Sequence, residues 1–246
     1  MLLALTLFAP AIAETVREGF PPPAGASRAP VEGFGAWLGE RPLRPAGTPV
    51  RSHRGEVLAM PAARVVDLPL VPGDLQQCAD SVLRLRAVWE REQGRDPAFH
   101  YTSGYLSRWS AWAAGKRPVV SGSRVTQGSG GRRGTDEANW EAWLANLFTY
   151  AGTRSLAREV RSVARADVAA GDVLVAPGSP GHAVLVMEVA REPSGAAWVL
   201  AAQGFMPAMD FHVVAGPEGG WFRVTGTELP TAPIPLAWSA LGRFPE

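Results

Sequence analysis

The chain contains one cysteine, Cys78, and four histidines in 246 residues. A cysteine becomes a nucleophile when its thiolate is stabilised and a histidine accepts its proton. Cys78 lies near the start of a predicted helix, where backbone N–H groups and the helix dipole favour the thiolate. His182 opens a predicted strand after a Gly/Pro loop, and the sheet would hold its ring rigidly at a cleft. These two residues predict nucleophilic attack on an amide bond.

A catalytic imidazole also needs an orienting partner, usually an amide or a carboxylate. Gln203 ends the predicted strand that follows His182, and a hairpin register would place it within one or two residues of that histidine. His212 is the rival for the third position or for the base. For Cys78 the alternative is a buried core residue, because it lies on the apolar face of its helix.

Composition argues against several other classes of function. The chain carries 24 Lys+Arg against 23 Asp+Glu, so its net charge of +1 does not indicate a basic nucleic-acid-binding domain. One cysteine cannot supply two thiolates to zinc, and the sequence has neither an HExxH motif nor a close histidine pair. The predicted chemistry needs no metal and no organic cofactor. Hydrophobic residues make up 46% of the chain, enough for a sizeable core.

Apolar periodicity predicts where the helices lie. The clearest helix is predicted over residues 74–93, with Asp74 as its N-cap and Gln77 completing a capping-box pattern. Further helices are predicted at residues 106–114, 135–150 and 155–163. The Gly/Ser/Arg-rich residues 121–134 are predicted to form a mobile loop.

Short apolar runs separated by turn residues predict strands in the second half of the chain. An antiparallel meander is predicted from residues 171–175, 182–189 and 198–203, with two later strands at residues 211–214 and 221–224. The fold class predicted from these elements is α+β.

The N-terminus looks like an export signal. Residues 1–13, MLLALTLFAPAIA, form a short apolar run that ends in an A-x-A cleavage pattern and is too short to span a bilayer. No Lys or Arg precedes the run, and a buried N-terminal helix is the alternative. We therefore expect a signal peptide at 1–13, a linker at 14–30 and a single domain at 31–246. The mature protein would be periplasmic or extracellular, with no integral membrane segment.

Several segments resemble a bacterial family catalogued as domain of unknown function 4846. The matching segments are residues 74–86 around Cys78, 148–153, 178–184 around His182 and 202–208 around Gln203. The resemblance runs through most of residues 30–245 and brings no established activity with it.

A more distant resemblance concerns the predicted strands alone. Gly171-Asp172-Val173, followed by Gly181-His182-Ala183-Val184, resembles the His-bearing strands of NlpC/P60 and CHAP cell-wall peptidases, which are papain-like enzymes. The resemblance implies a papain-like, NlpC/P60-type α+β core, with a helix packed on an antiparallel sheet. Residues 95–165 would then be a helical insertion in that core.

The same resemblance implies a role for each candidate residue: Cys78 as the nucleophile, His182 as the base and Gln203 as the residue that orients the imidazole. This sequence departs from the peptidase pattern in two ways. Gln77, rather than an aspartate, precedes the cysteine, and the separation of 182 − 78 = 104 residues between thiol and imidazole is long.

Export and this chemistry together predict a peptide or peptidoglycan-like substrate. The substrate-binding candidates are Gln77, beside the thiol, and the aromatic residues Tyr101 and Trp109, which would floor a groove or else pack in the core. Two other functions remain open. One is a non-catalytic exported binding module on the same scaffold, and the other is a structural envelope protein without a small ligand.

Overall fold

Helices pack against one large antiparallel sheet in the computed structural model, which describes residues 13–246. The predicted α+β class is confirmed, while the predicted signal peptide lies, except for Ala13, outside the described residues. The α-helices are α1 (Val16–Gly19), α2 (Gly33–Gly39), α3 (Cys78–Glu92), α4 (Trp109–Ala113), α5 (Glu137–Tyr150) and α6 (Thr153–Glu159). Short 3-10 helices lie at Arg165–Asp167 and Trp238–Ala240.

The strands of the first two thirds of the chain are short. They are β1 (Ser27–Arg28), β2 (Ala62–Val65), β3 (Ala98–His100), β4 (Leu106–Arg108), β5 (Arg117–Ser121), β6 (Arg124–Gly128) and β7 (Arg161–Ser162). The remaining strands are β8 (Val173–Ala176), β9 (His182–Arg191), β10 (Ala197–Gln203), β11 (His212–Val214), β12 (Trp221–Arg223), β13 (Glu228–Leu229), β14 (Leu236–Ala237) and β15 (Leu241–Arg243).

Among the described residues, nine strands form the large sheet. Its main path runs β2-β11-β10-β9-β8-β15-β7, while β1 pairs with β9 and β12 pairs with β10. The meander predicted from the sequence is the centre of this sheet, as β8, β9 and β10. Ala202 lies opposite Leu185, with a register shift between Leu200 and Ala201. Gln203 therefore ends β10 beside the start of β9, as the hairpin register predicted.

The central strand β9 is buried on both faces, which explains its continuous apolar sequence. On one face, Leu185 and Met187 belong to the same hydrophobic cluster as Val82 and Leu85 of α3. On the other face, Val184 belongs to a second cluster that closes the core below the sheet. Full burial of each such side chain contributes about 1.5–3 kcal/mol. The sheet and α3 are thus packed together where Cys78 begins the helix.

The start of α3 differs from the prediction. The helix begins at Cys78 rather than four residues earlier, and Gln77 occupies the N-cap position. The backbone N–H of Gln77 donates to Oδ2 of Asp80 at 3.1 Å. Asp74, the predicted cap, instead accepts a hydrogen bond from the backbone N–H of Ala208 at 2.6 Å. The prediction was wrong here because this long-range bond takes the carboxylate that a local cap would use.

Three other segments differ from the sequence predictions. Residues 121–134, predicted as a loop, begin within the hairpin formed by β5 and β6. The predicted helix at 106–114 is split into strand β4 and helix α4. In the stretch predicted as a linker, Val16 and Phe20 are buried and β1 pairs with the end of β9. Of these elements, β1 is the one whose partner lies far away in sequence, whereas β5 pairs with the adjacent β6 and β4 with the adjacent β3.

Candidate active site

The imidazole of His182 is held by the side chain of Gln203. His182 is the first residue of β9 and Gln203 the last of β10, and His182 Nε2 lies 2.8 Å from Gln203 Oε1. Gln203 Nε2 donates to the carbonyl oxygen of Ala232 at 2.8 Å. Because a carbonyl oxygen only accepts hydrogen bonds, this contact fixes the amide with Oε1 towards the imidazole. His182 therefore carries its proton on Nε2 and leaves Nδ1 with a free lone pair.

Nδ1 of His182 is the atom available for proton transfer. It is buried and makes no hydrogen bond within residues 13–246. Burial lowers the pKa of His182 more than the hydrogen bond that it donates to Gln203 raises it, so the ring is neutral near pH 7. Phe205 packs edge-on against the imidazole, with ring centroids 5.2 Å apart. A neutral, oriented imidazole with one unused nitrogen is the form required of a general base.

The thiol of Cys78 faces the residue that follows this histidine. The backbone N–H of Ala183 approaches the sulfur closely enough to lower the pKa of the thiol, as do the N–H groups of Ala79 and Cys78 itself. Burial outweighs these contacts and raises the pKa of Cys78, and the carboxyl of Asp80 raises it further. Cys78 is 7% exposed. The N–H groups at the start of α3 therefore favour the thiolate, as expected, but their effect is smaller than that of burial.

A cleft of about 360 Å³ opens beside the cysteine. Gln77, Cys78 and Asp80 at the start of α3 form one wall. The other walls come from residues between 148 and 153, from the loop at 178–181, and from Met206. His182 directly follows this loop but does not itself line the cleft. The cleft thus joins the nucleophile candidate to the loop that ends at the base candidate.

Two glycines allow these elements to approach one another. A Cβ atom on Gly204 would lie 2.9 Å from Oγ of Ser81 and 3.1 Å from the carbonyl oxygen of Gln77. A Cβ atom on Gly181 would lie 2.2 Å from Oγ1 of Thr153 and 2.7 Å from the backbone nitrogen of Gly178. Real Cβ atoms essentially never make contacts under 3.0 Å, so a larger residue at either position would force its neighbours to move. Gly204 directly follows Gln203 and Gly181 directly precedes His182, so both glycines are part of the site.

Of the two candidates for the third member, Gln203 is the one whose side chain contacts His182. His212 lies opposite Gln203 on β11, and both side chains are fully buried. Nδ1 of His212 donates to the carbonyl oxygen of Asp210 at 3.0 Å, and its Nε2 has no partner in the described part of the chain. Burial lowers the pKa of His212 as well. The direct contact with His182 is made by Gln203.

The predicted aromatic floor of the groove lies elsewhere. Tyr101 is fully buried, stacks near Tyr150 and donates its hydroxyl to Oδ1 of Asn146 at 2.5 Å. Trp109 packs edge-on against Trp140, with ring centroids 5.1 Å apart. Neither Tyr101 nor Trp109 lines the cleft and both are buried, which fits the alternative that they pack in the core. Both rings stabilise the helical part of the core, where large apolar surfaces are most favourable.

Sequence reasoning missed Asp80, which lies in the cleft wall two residues after the cysteine. It is 6% exposed, and its Oδ1 makes no hydrogen bond to any described residue. Burial raises the pKa of the Asp80 carboxyl to about 8. The sequence did contain a signal for this role. An acidic residue at the third helical position can bond to the backbone N–H of the N-cap, and Asp80 occupies that position when Gln77 is the cap.

The described residues hold no group of three or more His, Cys, Asp or Glu side chains suited to a metal ion. Within the same range, no helix combines the length and hydrophobicity needed to cross a membrane.

The molecule is thus an α+β protein with a large antiparallel sheet, in which the side-chain amide of Gln203 holds the imidazole of His182. The backbone N–H of the next residue, Ala183, approaches the sulfur of Cys78 at the helix start. It belongs to the family described as domain of unknown function (4846), whose sequence model matches residues 16–240. No curated protein and no solved structure matches the chain.

Proposed function

We propose that this protein is an exported cysteine hydrolase that cleaves an amide bond with Cys78 as nucleophile, His182 as base and Gln203 as orienting residue. The observation that carries the proposal is the fixed tautomer of His182. Its Nε2 proton is committed to Gln203, and its bare, buried Nδ1 has no partner among the described residues. His212 likewise leaves one buried nitrogen without a partner among the described residues, so what distinguishes His182 is its position directly before Ala183, whose backbone N–H approaches the sulfur of Cys78.

The proposed reaction proceeds in two steps. Nδ1 of His182 takes the thiol proton while the sulfur attacks the carbonyl carbon, and the imidazolium then gives that proton to the departing amine, leaving a thioester. A water molecule next attacks the thioester as His182 accepts one of its protons. The carboxylic acid leaves, and the proton returns to the sulfur.

The proposed reaction requires two changes when substrate binds. The thiol has to turn towards Nδ1, because neither ring nitrogen of His182 hydrogen-bonds to Cys78 in the described structure. Catalytic contacts are often loose in unliganded enzymes and tighten when substrate arrives. Substrate would also displace water from the cleft, and the N–H groups at the start of α3 would stabilise the oxyanion.

The substrate class rests on analogy. The predicted export signal and the resemblance of the His-bearing strand to papain-like NlpC/P60 and CHAP peptidases favour a cell-wall peptide. The amide-bond chemistry itself does not depend on this choice, because any acyl group that reaches the sulfur would form the same thioester.

A second candidate function is a non-catalytic binding module on the same scaffold. It is favoured by the burial of Cys78 and by the raised pKa of its thiol, both of which suit a packing residue. The two functions differ in whether His182 affects the reactivity of the sulfur.

Alkylation of Cys78 tests the proposal cleanly, since it is the sole cysteine. Iodoacetamide labelling is followed by mass spectrometry from pH 5 to 9 for the wild type, His182→Ala and His100→Ala. His100 lies on β3 and pairs with Glu159 at 3.0 Å, so it is the matched histidine control. We expect His182→Ala to label at least about tenfold more slowly at pH 7, with the control unchanged. Equal rates in all three proteins would favour the binding module.

Cleavage of a substrate provides the second test of the proposal. Peptidoglycan fragments should be cleaved by the wild type and left intact by Cys78→Ser. The melting temperature should stay nearly unchanged, because serine is close to cysteine in volume. A large loss of stability with no cleavage by either protein would mean that Cys78 is a packing residue.

A further inference from the structure

The acidic side chains around the Cys78 cleft have no basic counterpart in its wall. Of the described residues that line it, Asp74 and Asp80 are the acidic ones, and none is Lys, Arg or His. The remaining wall is formed by neutral polar and apolar residues. An anionic group that entered this cleft would meet two carboxyl groups and no compensating cation, which is unfavourable in a partly desolvated site.

Asp80 is the group that points to a ligand. Its Oδ2 accepts the backbone N–H of Gln77, but its Oδ1 is buried and has no partner within residues 13–246. A buried carboxyl oxygen without a hydrogen bond is unfavourable, and more so when the group is ionised. Asp80 also forms part of the cleft wall, so a cationic donor on a bound ligand would favour the ionised carboxylate and supply the missing hydrogen bond.

Asp74 is ionised at neutral pH and so supplies a negative charge to the same cleft. The backbone N–H of Ala208 and the amide of Gln77 donate to its Oδ1, and the first of these contacts is the main cause that lowers the pKa of Asp74. Its side chain is 49% exposed, with His53 Nδ1 at 3.9 Å. Arg54 also lowers the pKa of Asp74, but neither basic residue lines the cleft.

We propose that the Cys78 cleft binds a positively charged amine group of the substrate, with Oδ1 of Asp80 and the carboxylate of Asp74 as its recognition elements. As a statement about substrate this rests on the proposed function, whereas the charge preference of the cleft does not require turnover. The substrate class is therefore an amine-bearing peptide or peptide-like amide rather than one that presents a carboxylate at this position.

Charged methanethiosulfonates measure this preference at the sulfur itself. The Cys78 thiolate attacks the sulfenyl sulfur of the reagent, the one that carries the charged ethyl group. A mixed disulfide forms, methanesulfinate leaves, and the thiol proton goes to the buffer. The probes are the 2-aminoethyl reagent, which is cationic, and the 2-sulfonatoethyl reagent, which is anionic. Rates are measured at pH 8, where about half of Asp80 is ionised, and their ratio is divided by the ratio for a small free thiol.

For the wild type we expect this normalised ratio to favour the cation by at least about fivefold. Asp80→Asn and Asp74→Asn should each reduce it at least about twofold, and the double variant should bring it close to one. Asp67→Asn, which removes a carboxylate outside the cleft, is the matched control and should leave the ratio unchanged. Melting temperatures confirm that each variant is folded.

A wild-type ratio near one, or one that favours the anion, overturns the inference. So does a complete absence of reaction, because the cleft would then not lead to the sulfur. His182→Ala separates this inference from the proposed function. If it leaves the absolute rates unchanged while the ratio still favours the cation, the catalytic proposal fails and the charge preference stands. If His182→Ala reacts more slowly and the ratio is near one, the charge preference fails and the catalytic proposal stands.

Discussion

Asp80→Asn should change how the stability of the protein depends on pH. The asparagine keeps an oxygen that can accept the N–H of Gln77, so the start of α3 retains its cap. It removes only the ionisable proton of a carboxyl group that the fold buries. The variant therefore isolates the free-energy cost of ionising Asp80 in the native state.

The size of the effect follows from linkage. Burial raises the pKa of Asp80 from 3.8 to about 8, so between these pH values the native state holds one proton more than the unfolded state. Wild-type stability then falls as pH rises, by about 1.4 kcal/mol per pH unit from this group. Relative to Asp80→Asn, the wild type should lose about 3 kcal/mol between pH 5 and 7. Across the full window, the loss is on the order of 6 kcal/mol.

Urea unfolding of both proteins at pH 5, 6, 7 and 8 measures this difference. His182, His212 and Cys78 also titrate, but they are common to both proteins and largely cancel when the two free energies are subtracted. Asp67→Asn is the control, because its exposed ion pair should contribute less than about 1 kcal/mol at every pH. A wild-type minus variant difference that stays flat within about 0.5 kcal/mol from pH 5 to 8 would refute the assignment of Asp80 as a buried, protonated acid.

Three further substitutions test the surroundings of the thiol. Gln203→Ala removes the acceptor for His182 Nε2, so the unfolding free energy should fall by about 1–3 kcal/mol and iodoacetamide labelling at pH 7 should slow; unchanged labelling would remove Gln203 from the site. Gly204→Ala places a methyl group 2.9 Å from Oγ of Ser81, and urea unfolding should show a loss of about 1–3 kcal/mol; wild-type stability would contradict this close packing. Tyr101→Phe breaks one buried hydrogen bond and should lower Tm by about 2–4 °C. Labelling of the thiol should not change in this variant, and slower labelling would return Tyr101 to the site.

The sequence alone determined the elements that carry the candidate residues. The apolar run of β9 and its neighbours predicted the meander, and the hairpin register placed Gln203 beside His182. The helix that starts near Cys78 was also predictable from its periodic apolar face. These predictions succeed because period and turn chemistry act locally along the chain.

Tertiary structure decided what each side chain does. Asp74 bonds to the backbone of Ala208, 134 residues away, and this moved the start of α3 and left Asp80 as its capping acid. The carbonyl of Ala232 fixed the amide of Gln203 and so the tautomer of His182. Ala208 lies 134 residues from Asp74, and Ala232 lies 29 residues from Gln203. A hydrogen bond between distant segments forms only after the chain has folded, and no local pattern records it.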